Sequence, residues 1–277
     1  MFTLNCKGRL LIINEPIVMG ILNITPDSFY AGSRFQENNR IIDTVGHMIE
    51  DGATIIDIGG QSTRPGAEKI SADEETKRVI PVIETIRKTF PNLFISIDTY
   101  YAAVARHSVI AGADIVNDIS AGLLDPGMPE AVAQLNVPII AMHMKGTPQT
   151  MQGLIHYEHL IPEILEYFIE RISHLEAAGI KDIILDPGFG FAKTIEQNFL
   201  LLAGLENLKI LQKPMLAGLS RKSMVYKTLN TTPEASLNGT TVLNTIALTK
   251  GANILRVHDV KEAAECIKLT SQLQSSS

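Results

Sequence analysis

The sequence predicts an α/β fold, a (β/α)8 barrel of the TIM type with an N-terminal β-hairpin. Three observations carry this. Eight short apolar runs recur along the chain, and each is followed by a polar loop and then by a segment with helical period. Strands that alternate with helices in this way form βαβ units and a parallel sheet. Four of the helical segments end in a glycine just before the next strand, at Gly52, Gly112, Gly179 and Gly251; glycine accepts the left-handed C-cap conformation at little cost. Finally, eight such units in 277 residues match the size of a closed barrel. A doubly wound open sheet is the competing arrangement. It would carry a glycine fingerprint after its first strand, and GILNITPDS is not one.

Taken in order, the chain opens with FTLNCKGRLLII, a hairpin turning at Lys7-Gly8 that caps the bottom of the barrel. The eight apolar runs are 17–22, 55–58, 94–97, 115–116, 138–142, 182–185, 215–219 and 254–257. Helical period covers 39–52, 73–90, 102–112, 129–135, 161–179, 196–205, 233–250 and 260–269. The whole chain, 1–277, reads as one barrel domain, with a polar tail from Thr270 that frays and is disordered over 271–277.

Composition narrows the function. The chain is 45% hydrophobic and 19% charged, with a net charge of −6. A general nucleic-acid or anionic-membrane binder needs a basic face, so neither is expected as a partner. A local basic pocket for a small anion stays open. The two cysteines, Cys6 and Cys266, form no metal-ligand spacing and read as buried small hydrophobes. The N-terminal apolar run ends at Asn14-Glu15 and lacks the layout of a signal peptide. No window reaches the ~18 apolar residues of a membrane span. A cytoplasmic protein is the expectation.

In such barrels the active site is built at the C-terminal ends of the strands. Every strand delivers a polar group there: Asn23, Asp57, Asp98, Asn117-Asp118, His143, Asp186, Ser220-Arg221-Lys222, and Arg256 with His258. A lone strand-end Asp is more often a turn or N-cap residue. Asp27 and Asp118 read that way, and Asp259 with Glu262 resembles a capping box. His143 reads as structural. The remaining residues divide by chemistry. Asp98, Asn117, Asp186 and Lys222, with Met142, Ile119 and Phe191 nearby, suit a flat heterocycle with an N–H edge. Asn23, Thr63, Arg64, Arg256 and His258 suit a phosphate-type anion. Arg256 and His258, two apart on one strand, share a face. For Arg256 the plainer reading is an ion pair with Asp57. SRKS is not a Walker A loop, and DPGFGF alone is a weak signal.

The joint set is specific where its parts are not. GILNITPDSF, DIGGQSTRPGA, SIDT, VNDIS, MHMKGTP, DPGFGFAK, GLSRKS and RVHD appear in this order, from about Gly20 to the last helix. Together they resemble the bacterial dihydropteroate synthases of folate biosynthesis. The resemblance implies a (β/α)8 transferase. It would condense dihydropterin methyl diphosphate with 4-aminobenzoate to 7,8-dihydropteroate and diphosphate, with Mg²⁺ as cofactor and as a homodimer. It implies that Asp98, Asn117, Asp186 and Lys222 hold the pterin, with Met142 and Phe191 beside it. Asn23 would be the magnesium ligand, and Thr63, Arg256 and His258 would contact the diphosphate. Arg64 would help assemble the aminobenzoate site, lined by Phe29, Pro65, Ser220 and Lys222, where sulfonamides compete. Arg256, His258, Arg64 and Lys222 are the catalytic candidates. Two departures stand out: Gln61 where the family usually has Glu, and Tyr30-Ala31-Gly32-Ser33 where it usually has Ser-Asp-Gly-Gly. Both bear on aminobenzoate and sulfonamide affinity and leave the pterin group untouched. Two other functions share the pterin chemistry: a methyltetrahydrofolate:corrinoid methyltransferase and a weakly active pterin-binding paralogue. The first leaves Thr63-Arg64-Pro65 and the Arg256/His258 pair unexplained.

Overall fold

The computed structural model describes residues 1–24, 34–61 and 69–275, with side chains for all of these except 34–37 and 274–275. The chain begins with β1 (Phe2–Cys6) and β2 (Arg9–Ile13), paired antiparallel with Cys6 opposite Arg9. Lys7 and Gly8 between them both have positive φ, 53° and 87°. Two left-handed residues give the turn whose twist matches the flanking strands. Gly8 meets that demand at no steric cost, while Lys7 carries some strain.

Eight parallel strands follow: β3 (Ile17–Asn23), β4 (Ala53–Gly59), β5 (Phe94–Asp98), β6 (Ile115–Asp118), β7 (Ile139–Met142), β8 (Ile183–Asp186), β9 (Leu216–Ala217) and β10 (Ile254–Val257). Their order is β8-β7-β6-β5-β4-β3-β10-β9. A parallel bridge between Leu185 and Met215 joins the two ends, closing the barrel. The eighth apolar run matches its strand residue for residue, and the others differ by one or two residues at an end. The seventh is shortest because the chain leaves the sheet after Ala217 and turns at Arg221, φ 55°.

Along each strand, alternate side chains point out to the helices and into the barrel. Ile56, Ile95, Val116, Ile183 and Leu255 are among those packed outward. Inward, Met19, Ile55, Ile115, Ile140, Ile184, Leu216 and Ile254 form a dry floor, which Leu4, Cys6, Leu11 and Ile13 of the hairpin cover from below. Hydrogen bonds from Asn5 N to Asp182 Oδ2 (3.0 Å) and from Lys7 N to Asn136 O fix the hairpin under the strand starts. One step up the pleat the inward residues turn polar. Asp57 follows Ile55, Asn117 follows Ile115, Asp186 follows Ile184 and Arg256 follows Ile254.

The outer ring comprises α1 (Arg34–Glu50), α2 (Ala72–Thr89), α3 (Ala102–Ala111), α4 (Met128–Leu135), α5 (Leu160–Ala177), α6 (Ile195–Ala203), α7 (Ser223–Tyr226), α8 (Leu237–Thr249) and α9 (Val260–Ser275). Gly52, Gly112, Gly179 and Gly251 all have the positive φ expected of helix ends, 99° to 128°. Two expectations need correcting. The helix expected from Pro233 starts at Leu237, because Ser236 Oγ bonds back to Pro233 O at 2.7 Å and Ala235 N to Thr232 Oγ1, making a turn first. The last helix, whose period was expected to end at 269, is described to Ser275; Thr270 is buried and its hydroxyl donates to Cys266 O one turn back. Cys6 and Cys266 are both buried free thiols. Among the described residues no helix is long and apolar enough to cross a membrane.

Candidate active site

The polar layer above the dry floor is organised by Arg256. Its Nε donates to Asp57 Oδ2 at 2.6 Å and its Nη2 to Asp98 Oδ2 at 2.6 Å. Asn117 Nδ2 donates to the same Asp57 oxygen at 3.0 Å, and Asp57 is fully buried. Burial works against the guanidinium charge, but the two carboxylates outweigh it and hold Arg256 well above its ordinary pKa. Asp98 is pushed up by burial, with Arg256 pulling it back. The plainer sequence reading of Arg256, an ion pair with Asp57, is therefore the one the structure takes. The pair extends to Asp98, so Arg256 ties the residues chosen for a heterocycle to those chosen for an anion.

Across the mouth, Asp186 is buried and accepts from Gly188 N at 2.8 Å. Burial raises its pKa and the charge of Lys222 opposes that rise. Lys222 donates from Nζ to Phe189 O and lies 4.9 Å over the Phe191 ring. Burial pushes Lys222 down to about 8 against the pull of Asp186, with the charge of Arg256 acting in the same direction as burial. Gly190, at φ +82°, lets the turn close on this lysine; a β-carbon there would come within 3.1 Å of Lys222 Cδ. Ile119 and Met142 pack with Tyr100, Met144, Met151 and Ala192, and Phe191 lies against them. An apolar wall with carboxylates and an amide beside it suits a flat ring carrying N–H donors.

The third group follows β9 and β10. Ser220 Oγ accepts from the backbone N–H of His258 at 3.2 Å and lies 3.0 Å from His258 Nδ1. Arg221 donates to both oxygens of Asp259, at 3.0 and 2.6 Å. This corrects the capping-box reading of Asp259, whose carboxylate braces the turn that bears Ser220. Asp118 is the turn former it was read as, accepting from Ser120 N, Ser120 Oγ and Gly122 N. Asn23 ends β3 exposed, with its Oδ1 3.4 Å from where a β-carbon on Gly59 would sit.

Asp98, Asn117, Asp186, Lys222, Arg256, His258, Ser220, Met142, Phe191 and Asn23 thus gather on one rim, as expected of strand ends. Phe29, Thr63, Arg64 and Pro65 lie outside the described residues, as do Asp27 and Tyr30-Ala31-Gly32-Ser33. Two features escaped the sequence reading. Lys193 is buried against His143, and Glu75 is buried against Gln61, Thr99 and, through Gln61, Tyr100. The helical period placed Glu75 on a buried face of α2, which was the available signal. Among the described residues no three His, Cys, Asp or Glu side chains gather to hold a metal. A hard cation beside the Asn23 amide oxygen would take its other ligands from water or a substrate, the habit of Mg²⁺ with phosphates.

The family model described as pterin binding enzyme matches residues 19–258. The dihydropteroate synthase of Escherichia coli K12 is 47% identical over 268 residues, covering 95% of this chain and 93% of its own. Among solved structures, the Yersinia pestis dihydropteroate synthase with a sulfonamide drug superposes with TM-score 0.92 at 42% identity, over 100% of both chains. The Xanthomonas albilineans dihydropteroate synthase with 4-aminobenzoic acid gives TM-score 0.90 at 40% identity over 98% of each chain.

Proposed function

This chain belongs to the pterin-binding enzymes, among the dihydropteroate synthases, and we propose that its barrel mouth joins dihydropterin methyl diphosphate to 4-aminobenzoate. The products are 7,8-dihydropteroate and diphosphate. The observation that carries the reading is the Arg256 bridge from Asp57 to Asp98, which sets a cation between a ring-binding carboxylate and the open rim.

In this reading Asp98, Asn117 and Asp186 accept from or donate to the pterin edge, and Lys222 holds the opposite side of the ring against Phe191. Met142 and Phe191 exclude water from its faces. The dihydropterin is electron-rich, so its exocyclic C–O bond breaks with positive charge spread over the ring. Arg256 and His258 stabilise the electron pair that leaves with the diphosphate. The aniline nitrogen, unprotonated at neutral pH because it is weakly basic, then forms the C–N bond and loses a proton to solvent. Ser220, with Phe29, Thr63, Arg64 and Pro65, completes the aminobenzoate and diphosphate sides, where sulfonamides compete. Asn23 would hold Mg²⁺, which would supply Lewis-acid neutralisation of the diphosphate charge.

We assign the protein to the cytoplasm and to a homodimer. The exposed apolar side chains of Val242 and Ile246 on α8 and Leu269 on α9 support a self-association face away from the mouth. The test of function is direct: purified protein, Mg²⁺ and both substrates should release diphosphate and form dihydropteroate in equal amounts. Adding a chelator should stop turnover without lowering the melting temperature. Corrinoid-dependent methyl transfer, or pterin binding without condensation, would replace this reading.

A further inference from the structure

Lys193 follows the Gly188–Phe191 turn and is nearly buried, 9% exposed. Its Nζ lies 3.0 Å from His143 Nδ1 and donates to Gly188 O at 3.0 Å and Phe191 O at 3.1 Å. The two carbonyls are the two ends of the turn, which is closed by Phe191 N donating to Gly188 O. The same turn presents Gly188 N to Asp186 and Phe189 O to Lys222. A β-carbon on Gly188 would come within 2.0 Å of His143 O, so the turn lies hard on the end of β7.

We infer that Lys193 is a positioning residue for pterin binding: through His143 and the ends of the 188–191 turn it sets the placement of Asp186 and Lys222. This rests on the pterin-binding role proposed above for Asp186 and Lys222. Stability alone is a poor account of this lysine. Burying an ammonium without a carboxylate in contact costs several kcal/mol of desolvation, as an order of magnitude. Tying down two carbonyls needs only a neutral donor. Burial pushes Lys193 down to about 7, against the charge of Asp186, while Lys222 and Lys145 push the same way as burial. His143 is pushed down to about 2 by burial, with Lys193 and Lys145 adding to it, so its ring is neutral and Nδ1 can accept from the ammonium.

The experiment compares Lys193→Met and Lys193→Gln with the wild type. Calorimetry gives the affinity for the dihydropterin alcohol, the substrate without its diphosphate. Steady-state rates at saturating pterin substrate give the Michaelis constant for aminobenzoate. Lys193→Met should weaken dihydropterin binding tenfold or more and raise the aminobenzoate constant, which shares Lys222 but not Asp186, by a clearly smaller factor. Lys193→Gln, which keeps amide donors, should fall between. Dihydropterin binding within threefold of wild type, or a parallel loss in both parameters, overturns the assignment. So does failure of both variants to fold. Wild-type turnover tests the proposed reaction separately: an active wild type with an unaffected Lys193→Met removes only this inference.

Discussion

Arg256 and Asp57 stand 199 positions apart in the chain and meet at 2.6 Å, with Asp98 on the other side of the same guanidinium. The contact makes Arg256 a part of the barrel's interior before it meets any ligand. It follows that Arg256→Ala strips two duties at once. Asp57, fully buried, is left with the Asn117 amide as its donor, and losing one member of a buried pair costs about 3–5 kcal/mol. Asp98 is released as well. Expected are a fall in denaturant midpoint and a fall in diphosphate release too large for that instability, measured at a temperature where the variant is still folded. Arg256→Lys should recover much of the stability and little of the rate, because a lysine cannot span two carboxylates with a planar fork. Full activity in Arg256→Ala would remove both roles.

The opposite end of the barrel offers a control. Asp114 receives Arg87 Nη2 at 2.5 Å, Arg9 Nη1 at 3.3 Å and the backbone N–H of Ile95 at 2.9 Å. These contacts bind the hairpin and α2 to the start of β6. Asp114→Ala should cost about 2–3 kcal/mol, discounted because both arginines are partly exposed. Its Michaelis constants should stay within twofold of wild type, since residues at the bottom face serve stability. A shift in either constant, with the midpoint unchanged, would mean that the two ends of the barrel are not independent.

How much of this was legible follows from particular residues. The barrel and its inward positions could be read because the strand period is short-range information: Ile55 then Asp57, Ile254 then Arg256. Asp57 could be named as a partner of Arg256, but the second contact, to Asp98, could not, because it depends on registers set across four strands, β10 beside β3, then β4 and β5. Asp259 misled for a related reason. Its local pattern with Glu262 is that of a cap, and the competing partner, Arg221, lies 38 residues away. Lys193 was invisible because a lysine in a glycine-rich loop looks solvated until the turn is seen lying on His143. The run-on of α9 past Thr270 was missed because a polar composition hid a threonine that is buried by its neighbours.

Glu75 supplies a pH test of the fold. It is fully buried; Oε2 accepts from Thr99 Oγ1 at 3.2 Å, and Oε1 has no partner among the described residues. Burial, helped by the charge of Asp98, pushes it up to about 8. Between roughly pH 4.5 and 8 the native state therefore holds a proton that the unfolded state sheds, so this group's contribution to stability falls as pH rises. Glu75→Gln has no such proton to lose. Its melting temperature relative to wild type should rise between pH 5 and pH 8, by an amount on the order of 1 kcal/mol or more in stability. A difference that stays constant across that range would show that Glu75 is ionised in the folded protein.

Ser220 and His258 give the last expectation. The Ser220 oxygen accepts the His258 backbone N–H at 3.2 Å and lies 3.0 Å from the ring Nδ1, so two contacts tie this serine to the histidine. The hydroxyl is itself held by the turn that Arg221 braces against Asp259. Ser220→Ala removes both contacts and lets the ring shift. Turnover should fall about three- to tenfold, the value of about one neutral hydrogen bond at ~1 kcal/mol. The fall should appear in diphosphate release at saturating substrates, and Ser220→Thr should restore it if the methyl group fits. If the alanine variant instead changes only the Michaelis constant for aminobenzoate, Ser220 acts on that substrate alone and the imidazole is oriented by other contacts.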